Sequence, residues 1–340
     1  MLILRPIAPA HVKRHIRIGY SVFLLIVFIL TAFATFIINT KTIALDSTIQ
    51  VENTTRPFPV GVDPVAERIV EHPEVDSFFE EYVIATTEPS RKNWFAYTLA
   101  MLTQFDWYQN LASPTARILV INPGQRKEQV VANFAKILKW DNTQAQEFLT
   151  LVTETPPQIA DGTFYPANYM VTAGSSPKKV AELLTERFDS EILARYDQSV
   201  SQKVTLEDAL IIASILEREA YDFTDMREIS GVIWNRLFID MNLQIDATLQ
   251  YAKGTQSATS WWPVPRPKDK YIESPFNTYQ NAGLPPAPIS NPTSESVLAA
   301  LNPKITDCIF YFHDSKSQFH CSPTYEGHVK LLKQYYGQGK

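Results

Sequence analysis

Glycine is scarce in this 340-residue chain, at 11 residues, and neither a G-x-G-x-x-G nor a P-loop pattern occurs. A phosphate-cradling glycine loop is thereby excluded. The two cysteines and six histidines never fall at the spacing of a zinc site, so no metal and no other cofactor is expected. A basic stripe is lacking as well. With 31 Lys and Arg against 36 Asp and Glu, the net charge of -5 argues against a nucleic-acid partner. Proline is frequent instead, at 23 residues, and implies rigid, irregular connections.

Charge disappears entirely between Ile18 and Thr40, a stretch long enough to cross a bilayer core. Ahead of it lie Arg5, Lys13, Arg14 and Arg17 with no acid among them. The positive-inside rule then keeps residues 1–17 in the cytoplasm and exports everything after residue 40. The rival reading is a cleaved signal peptide, since Ala32-Phe33-Ala34 has the small-x-small form. The apolar run continues through Phe36-Ile37-Ile38, which is long for a signal sequence. The expectation is therefore a single-pass protein of the cell (inner) membrane with an extracytoplasmic body.

Residues 41–66 are polar and proline-bearing and read as a linker; the aromatic-rich remainder to residue 115 receives no function. From Ala116 to about residue 200, two strand-turn-helix units predict a small α+β accessory module. The first turns at Asn122-Pro123-Gly124, and in the second Ser176-Pro177 has the form of an N-cap and first helical residue. Residues 201–340 form the expected catalytic domain, of mixed α/β character. Its clearest helix is "TLEDALIIASILEREA", where Thr205 and Asp208 approximate a capping box. A second helix is expected in "MREISGVIWNRLFID", followed by loop-rich stretches, a short helix "SESVLAALN" and a C-terminal hairpin. Cys308 and Cys321 fall on that hairpin, where a disulfide and two small buried hydrophobes are both open readings.

On the first of these helices Leu206, Leu210, Ala213 and Glu217 share a stripe, while Glu219 points roughly the other way. A carboxyl at position 217 beside apolar neighbours would be pushed toward the protonated form, as a general acid needs. The plain alternative is a pair of solvated glutamates closing the helix.

The blocks "ASILEREA", "VIWNRL", "MNLQIDATLQYAKG", "SPFNTYQNAGLPPAPISNP" and "AALNPKITDCIFYFHD", in this order, resemble those of the endolytic murein transglycosylases, the YceG-like family. "INPGQ" and "DGTFYPANY" are similar to further blocks of that family, and the likeness runs from about Ala116 to His328. The resemblance implies a LysM-like accessory module and cleavage of the MurNAc-β-1,4-GlcNAc bond of peptidoglycan glycan strands without water, leaving 1,6-anhydro-MurNAc ends. Glu217 takes the place of the family's catalytic glutamate. Gln244, Asp246, Asn277 and Tyr279 fall in blocks that would position the sugar, although plain turn chemistry is the competing reading for Asn277 and Tyr279. Asn235, Arg236 and Glu219 would support the Glu217 helix. The sequence departs from the family at Ile245 and Ala247, where serine and proline are usual, and at Phe276, which lacks a phenolic hydroxyl. No first LysM-like segment is recognised before Ala116. Trp261-Trp262 could stack on sugar or clasp a loop to the domain. The implied partners are glycan strands, the membrane and, by analogy, peptidoglycan synthases. A hydrolase in which Asp246 or Glu219 activates water, and a non-catalytic wall-binding scaffold, are the competing functions.

Overall fold

The computed structural model describes residues 24, 27, 28, 31, 56–84, 116–154, 161–254 and 260–337. The expected membrane segment 18–40 therefore lies almost wholly outside the described residues. Among those that are described, no helix is long and apolar enough to cross a membrane.

The chain after Arg56 does not behave as the linker its prolines suggest. Phe58, Val60 and Val62 alternate into the main core, with Val75 and Phe78 beside them. Prolines fix an extended backbone here, and that backbone is anchored rather than free. Phe58 N–H donates to Arg195 O (3.0 Å), Gly61 N–H to Leu301 O (2.9 Å), and Asn302 Nδ2 to Pro59 O (2.7 Å). Strand β1 (Val62–Asp63) pairs antiparallel with β2 (Arg68–Ile69), and α1 (Val75–Phe78) follows.

The accessory module is built on an antiparallel pair, β3 (Ala116–Val120) and β4 (Asn168–Thr172), with Leu119 opposite Tyr169. Between the strands come α2 (Lys127–Leu138) and α3 (Asn142–Glu154), and α4 (Pro177–Glu191) follows. Helix α3 has no expectation behind it; its polar sequence buries Phe148 and Val152, four residues apart on one face. Helix α4 starts as the sequence predicts, with Ser176 accepting from Lys179 N–H (3.4 Å) and Pro177 in the first turn. Leu119, Val130, Phe134, Phe148, Val171 and Leu184 form a core distinct from the main one. Helix α4 joins the two, since Val180 and Leu184 face the small core while Phe188 faces the large.

The main core is helical. After a single turn, α5 (Gln198–Ser201), come α6 (Leu206–Glu219), α7 (Phe223–Phe238), α8 (Asp246–Gly254) and α9 (Ser294–Leu301). Helix α8 occupies a stretch expected to be loop. Helix α6 begins where predicted: Thr205 Oγ1 accepts from Asp208 N–H (3.1 Å) and donates to Asp208 Oδ2 (2.7 Å). Eight successive residues of α6, Ala209 to Leu216, are buried. Helix α9, buried along its whole length, lies against α6 and α7. The hairpin β5 (Phe310–His313) and β6 (Phe319–Ser322), with Tyr311 opposite Cys321, is followed by α10 (Tyr325–Tyr336). Cys308, just ahead of β5, is joined to Cys321 by a disulfide with a Cα–Cα distance of 5.8 Å.

Candidate active site

Glu217 stands at the exposed end of α6, half-buried, where the oily run stops. Its Oε1 accepts from Thr293 N–H (2.9 Å) and from Thr293 Oγ1–H (2.6 Å). Thr293 is the N-cap of α9, and its hydroxyl also accepts from Ser296 N–H (3.2 Å). One hydroxyl thus closes the helix and points a proton at the glutamate. The positive end of α9 favours negative charge at that spot.

Three distant segments meet around this carboxyl. Ser214 Oγ, one turn back on α6, accepts from Ile289 N–H (2.9 Å), and Ser290 Oγ donates to Ser214 O (2.9 Å). The Asn122–Gln125 turn pairs with Asn291: Gly124 N–H donates to Asn291 O (3.0 Å) and Asn291 N–H to Gln125 O (2.9 Å). Asn291 is buried, and its carboxamide oxygen accepts from Gly162 (3.1 Å) and Phe164 (3.0 Å) N–H while Nδ2 donates to Gln125 O (2.8 Å). Gly124 turns at φ +74°, a conformation that favours glycine, with the Arg218 side chain directly over it. Three of the blocks that carry the resemblance thus converge on Glu217 in space.

Glu219 lies in different surroundings, as helical spacing predicts. Its Oε1 accepts from Ala247 N–H (3.3 Å) and its Oε2 from the Tyr311 hydroxyl (3.0 Å). Burial pushes this carboxyl above the usual range, outweighing both hydrogen bonds, and nearby Asp246 adds to the rise. Burial and Glu219 together push the Tyr311 phenol well up. Glu219 is thus a desolvated carboxyl at a position to which the sequence assigned a supporting role or, in the hydrolase reading, the activation of water.

The residues proposed to hold sugar divide. Gln244 and Asp246 are exposed, and Asp246 Oδ1 accepts from the Tyr279 hydroxyl (2.8 Å), so Asp246, Tyr279 and Glu219 gather at the start of α8. Gln244 adopts φ +49° and donates its backbone N–H to Thr278 O (3.0 Å). Asn277 does not reach a surface at all. It is 0% exposed; Nδ2 donates to Lys270 O (3.1 Å) and Ile272 O (2.8 Å), and Oδ1 accepts from Tyr279 N–H (3.0 Å). Its carboxamide is used up in folding the loop, which corrects the expectation of a substrate contact.

Asn235 and Arg236 brace the disulfide hairpin more than the Glu217 helix. Asn235 Nδ2 donates to Thr306 O (2.8 Å) and Cys308 O (3.0 Å). Arg236 donates to Ile309 O (2.6 Å) and to Leu243 O. Trp262 faces the Arg218 guanidinium at 4.0 Å from the ring centre and donates Nε1–H to Gln129 Oε1 (3.1 Å). Trp262 is thus a clasp between the loop after α8 and helix α2, whereas Trp261 is 39% exposed. Among the described residues, no group of three or more His, Cys, Asp or Glu side chains is placed to hold a metal ion.

Sequence reasoning passed over Thr293, Asn291, Arg218 and Tyr311. Thr293 had a readable signal, a threonine just ahead of an expected helix. The partners of Glu217 and Glu219 lie 76 and 92 residues away, beyond any local pattern.

The model of the YceG-like family matches residues 68–334. A Bacillus subtilis protein named endolytic murein transglycosylase is 31% identical over 176 residues, 52% of this chain and 48% of that protein. A Streptococcus pneumoniae protein of the same name is 28% identical over 154 residues, 45% of this chain and 28% of its own length. The match thus spans about half or less of each curated relative. The crystal structure of a yceG-like protein from Listeria monocytogenes superposes with a TM-score of 0.55 at 28% identity, covering 63% of this chain and 75% of that one.

Proposed function

The chain belongs to the YceG-like family, and from that premise we propose that it is a lytic transglycosylase that cuts nascent peptidoglycan strands internally. The bond cleaved is MurNAc-β-1,4-GlcNAc, and the products are 1,6-anhydro-MurNAc ends. The name shared by the curated relatives supports the reaction class. The observation that carries the assignment is the glutamate held by two Thr293 donors where three family-like blocks meet.

Glu217 acts twice. Both Thr293 donors address Oε1, so the transferable proton belongs on Oε2. That proton passes to the glycosidic oxygen as the C1–O bond breaks and an oxocarbenium-like centre forms on MurNAc. The carboxylate so produced is stabilised by the Thr293 N–H and O–H and by the α9 N-terminus. It then takes the proton of the C6 hydroxyl as O6 bonds to C1 and closes the anhydro ring. Proton and bond counts balance with no water consumed. Asp246, Tyr279 and Gln244, gathered about the start of α8, orient the sugar. A hydrolase would need a second carboxylate to activate water, and Glu219 is unsuited because its oxygens are taken by Tyr311 and Ala247.

Residues 18–40 anchor the enzyme in the membrane with its catalytic domain outside, and the LysM-like module from Ala116 guides the strand. Cutting there ends strand elongation, which makes peptidoglycan synthases the fitting partners. Digestion of uncrosslinked glycan strands in ¹⁸O-water tests the chemistry. Unlabelled anhydro-MurNAc ends are expected; labelled reducing MurNAc ends would establish hydrolysis instead.

A further inference from the structure

Two arginines, Arg218 next in sequence to Glu217 and Arg126 across the Trp262 ring, carry buried N–H groups that nothing in the described structure accepts. Arg218 Nε and Arg126 Nη2 are both buried without a hydrogen-bond partner among the described residues. Such donors are rare in stable folds, because their lost hydration is normally repaid by an acceptor. Both guanidinium groups face the same indole: that of Arg218 lies 4.0 Å and that of Arg126 5.8 Å from the Trp262 ring centre.

The two arginines differ in how they are held. Arg126 is fully buried and fixed, with Nε on Glu128 Oε2 (3.2 Å), Nη1 on Tyr251 O (3.1 Å), and its guanidinium 3.9 Å from the Tyr251 ring centre. Gly254 keeps this arrangement tight, since a Cβ there would lie 2.0 Å from Trp261 O and 2.8 Å from Arg126 Nη1. Arg218 is held by stacking on Trp262 above Gly124, a contact that sets the plane of its guanidinium. The carboxylates nearest in sequence, Glu217 and Glu219, accept hydrogen bonds from Thr293, Tyr311 and Ala247. Although its Nε is buried, the Arg218 side chain as a whole is only half-buried, and a planar cation next in sequence to the reacting acid suits recognition of a carboxylate at its open edge.

We propose that Arg218, stacked on Trp262 and backed by Arg126, is a specificity-determining residue that binds a carboxylate on the glycan strand beside the bond being cut. The inference rests on the transglycosylase reading and deepens it. The chemistry fits the substrate class: the lactyl ether of MurNAc ends in a carboxyl that is free on peptide-stripped strands. On peptide-bearing strands it is amide-linked, and the peptide supplies carboxylates of its own. Trp261, exposed at the same edge, offers an apolar face to the adjoining sugar ring.

The test uses the full-length protein with three strand preparations: peptide-stripped, peptide-bearing, and peptide-bearing with every carboxyl converted to an amide. Wild type is expected to show a KM about 10-fold lower on at least one acidic preparation than on the amidated one. Arg218→Gln should abolish that preference, bringing the KM on the acidic preparations to the amidated value, and Arg218→Lys should restore part of it. A preference confined to stripped strands identifies the lactyl carboxylate; one confined to peptide-bearing strands identifies the stem. Equal loss on all three preparations would reduce Arg218 to a packing residue, and so would equal wild-type KM values. Calorimetric binding of the same strands to Glu217→Gln reads the subsite without catalysis, so failure of the reaction and failure of the subsite are told apart. Should Arg218→Gln not fold, Arg218→Lys carries the test, with a reduced acid preference expected and an unchanged one overturning the proposal.

Discussion

Two glutamates two positions apart on one helix have been given opposite environments. Glu217 faces two donors at a helix N-terminus, and Glu219 is sunk between Tyr311 and Ala247. Their divergence could be read from the helical period, but their partners could not. That burial raises the Glu219 carboxyl was not legible either, because desolvation depends on what covers a helix end. Thr293→Val removes one donor to Glu217 and the cap of α9 together. Stability should fall by about 1 kcal/mol in urea unfolding, and kcat on glycan strands by about 10-fold to 100-fold, with Thr293→Ser near wild type in both. For Glu219 the sign of the pH effect follows from its raised folded pKa. Its stabilising contribution is complete below the ordinary carboxylate range and is lost as pH rises through the folded value. Glu219→Gln should therefore gain stability relative to wild type as pH is raised from about 4 to about 8, the interval above the unfolded carboxylate pKa. An unchanged difference across that interval would show that the carboxyl is not desolvated.

At the scale of elements, caps and periodicity located α6, α7 and α9, because Thr205 and a run of buried apolar residues announce themselves locally. What escaped were pieces whose fit is set from elsewhere. Helix α8 mixes Asp246, Thr248 and Gln250 with apolar residues and is ordered by the loop holding Thr278 and Tyr279. The final helix, Tyr325–Tyr336, has an amphipathic stripe that went unread, although it buries no residue fully. The hairpin was legible, and its disulfide closes a loop of sequence separation 13. Replacing Cys308 and Cys321 by alanine should cost about 3 kcal/mol by the chain-entropy account of loops this size. Urea midpoints of the variant and of wild type, each with and without reductant, check this. A variant as stable as oxidised wild type would mean that the disulfide contributes nothing.

For the molecule as a whole, the least legible part was the stretch from Arg56 to Phe78. Its prolines imitate a linker, yet Phe58, Val60, Val62, Val75 and Phe78 fill the core against α9 and α7. Burial of five such side chains is worth on the order of 10 kcal/mol, comparable to the entire stability of a typical domain. A truncation beginning at residue 50 should fold cooperatively, and one beginning at Ala116 should be unfolded or aggregated by circular dichroism and size exclusion. If the shorter form folds normally, this segment is dispensable packing. The second core, beneath β3 and β4, meets the first along α4 and at the Asn122–Gln125 turn, and Glu217 sits at that seam. The measurement that bears most directly on the account is digestion of uncrosslinked strands by wild type and by Glu217→Gln, with muropeptides identified by mass. Anhydro-MurNAc products from wild type and none from the folded variant are the predicted result. Equal anhydro yields from both proteins would show that the proton is carried by some other group.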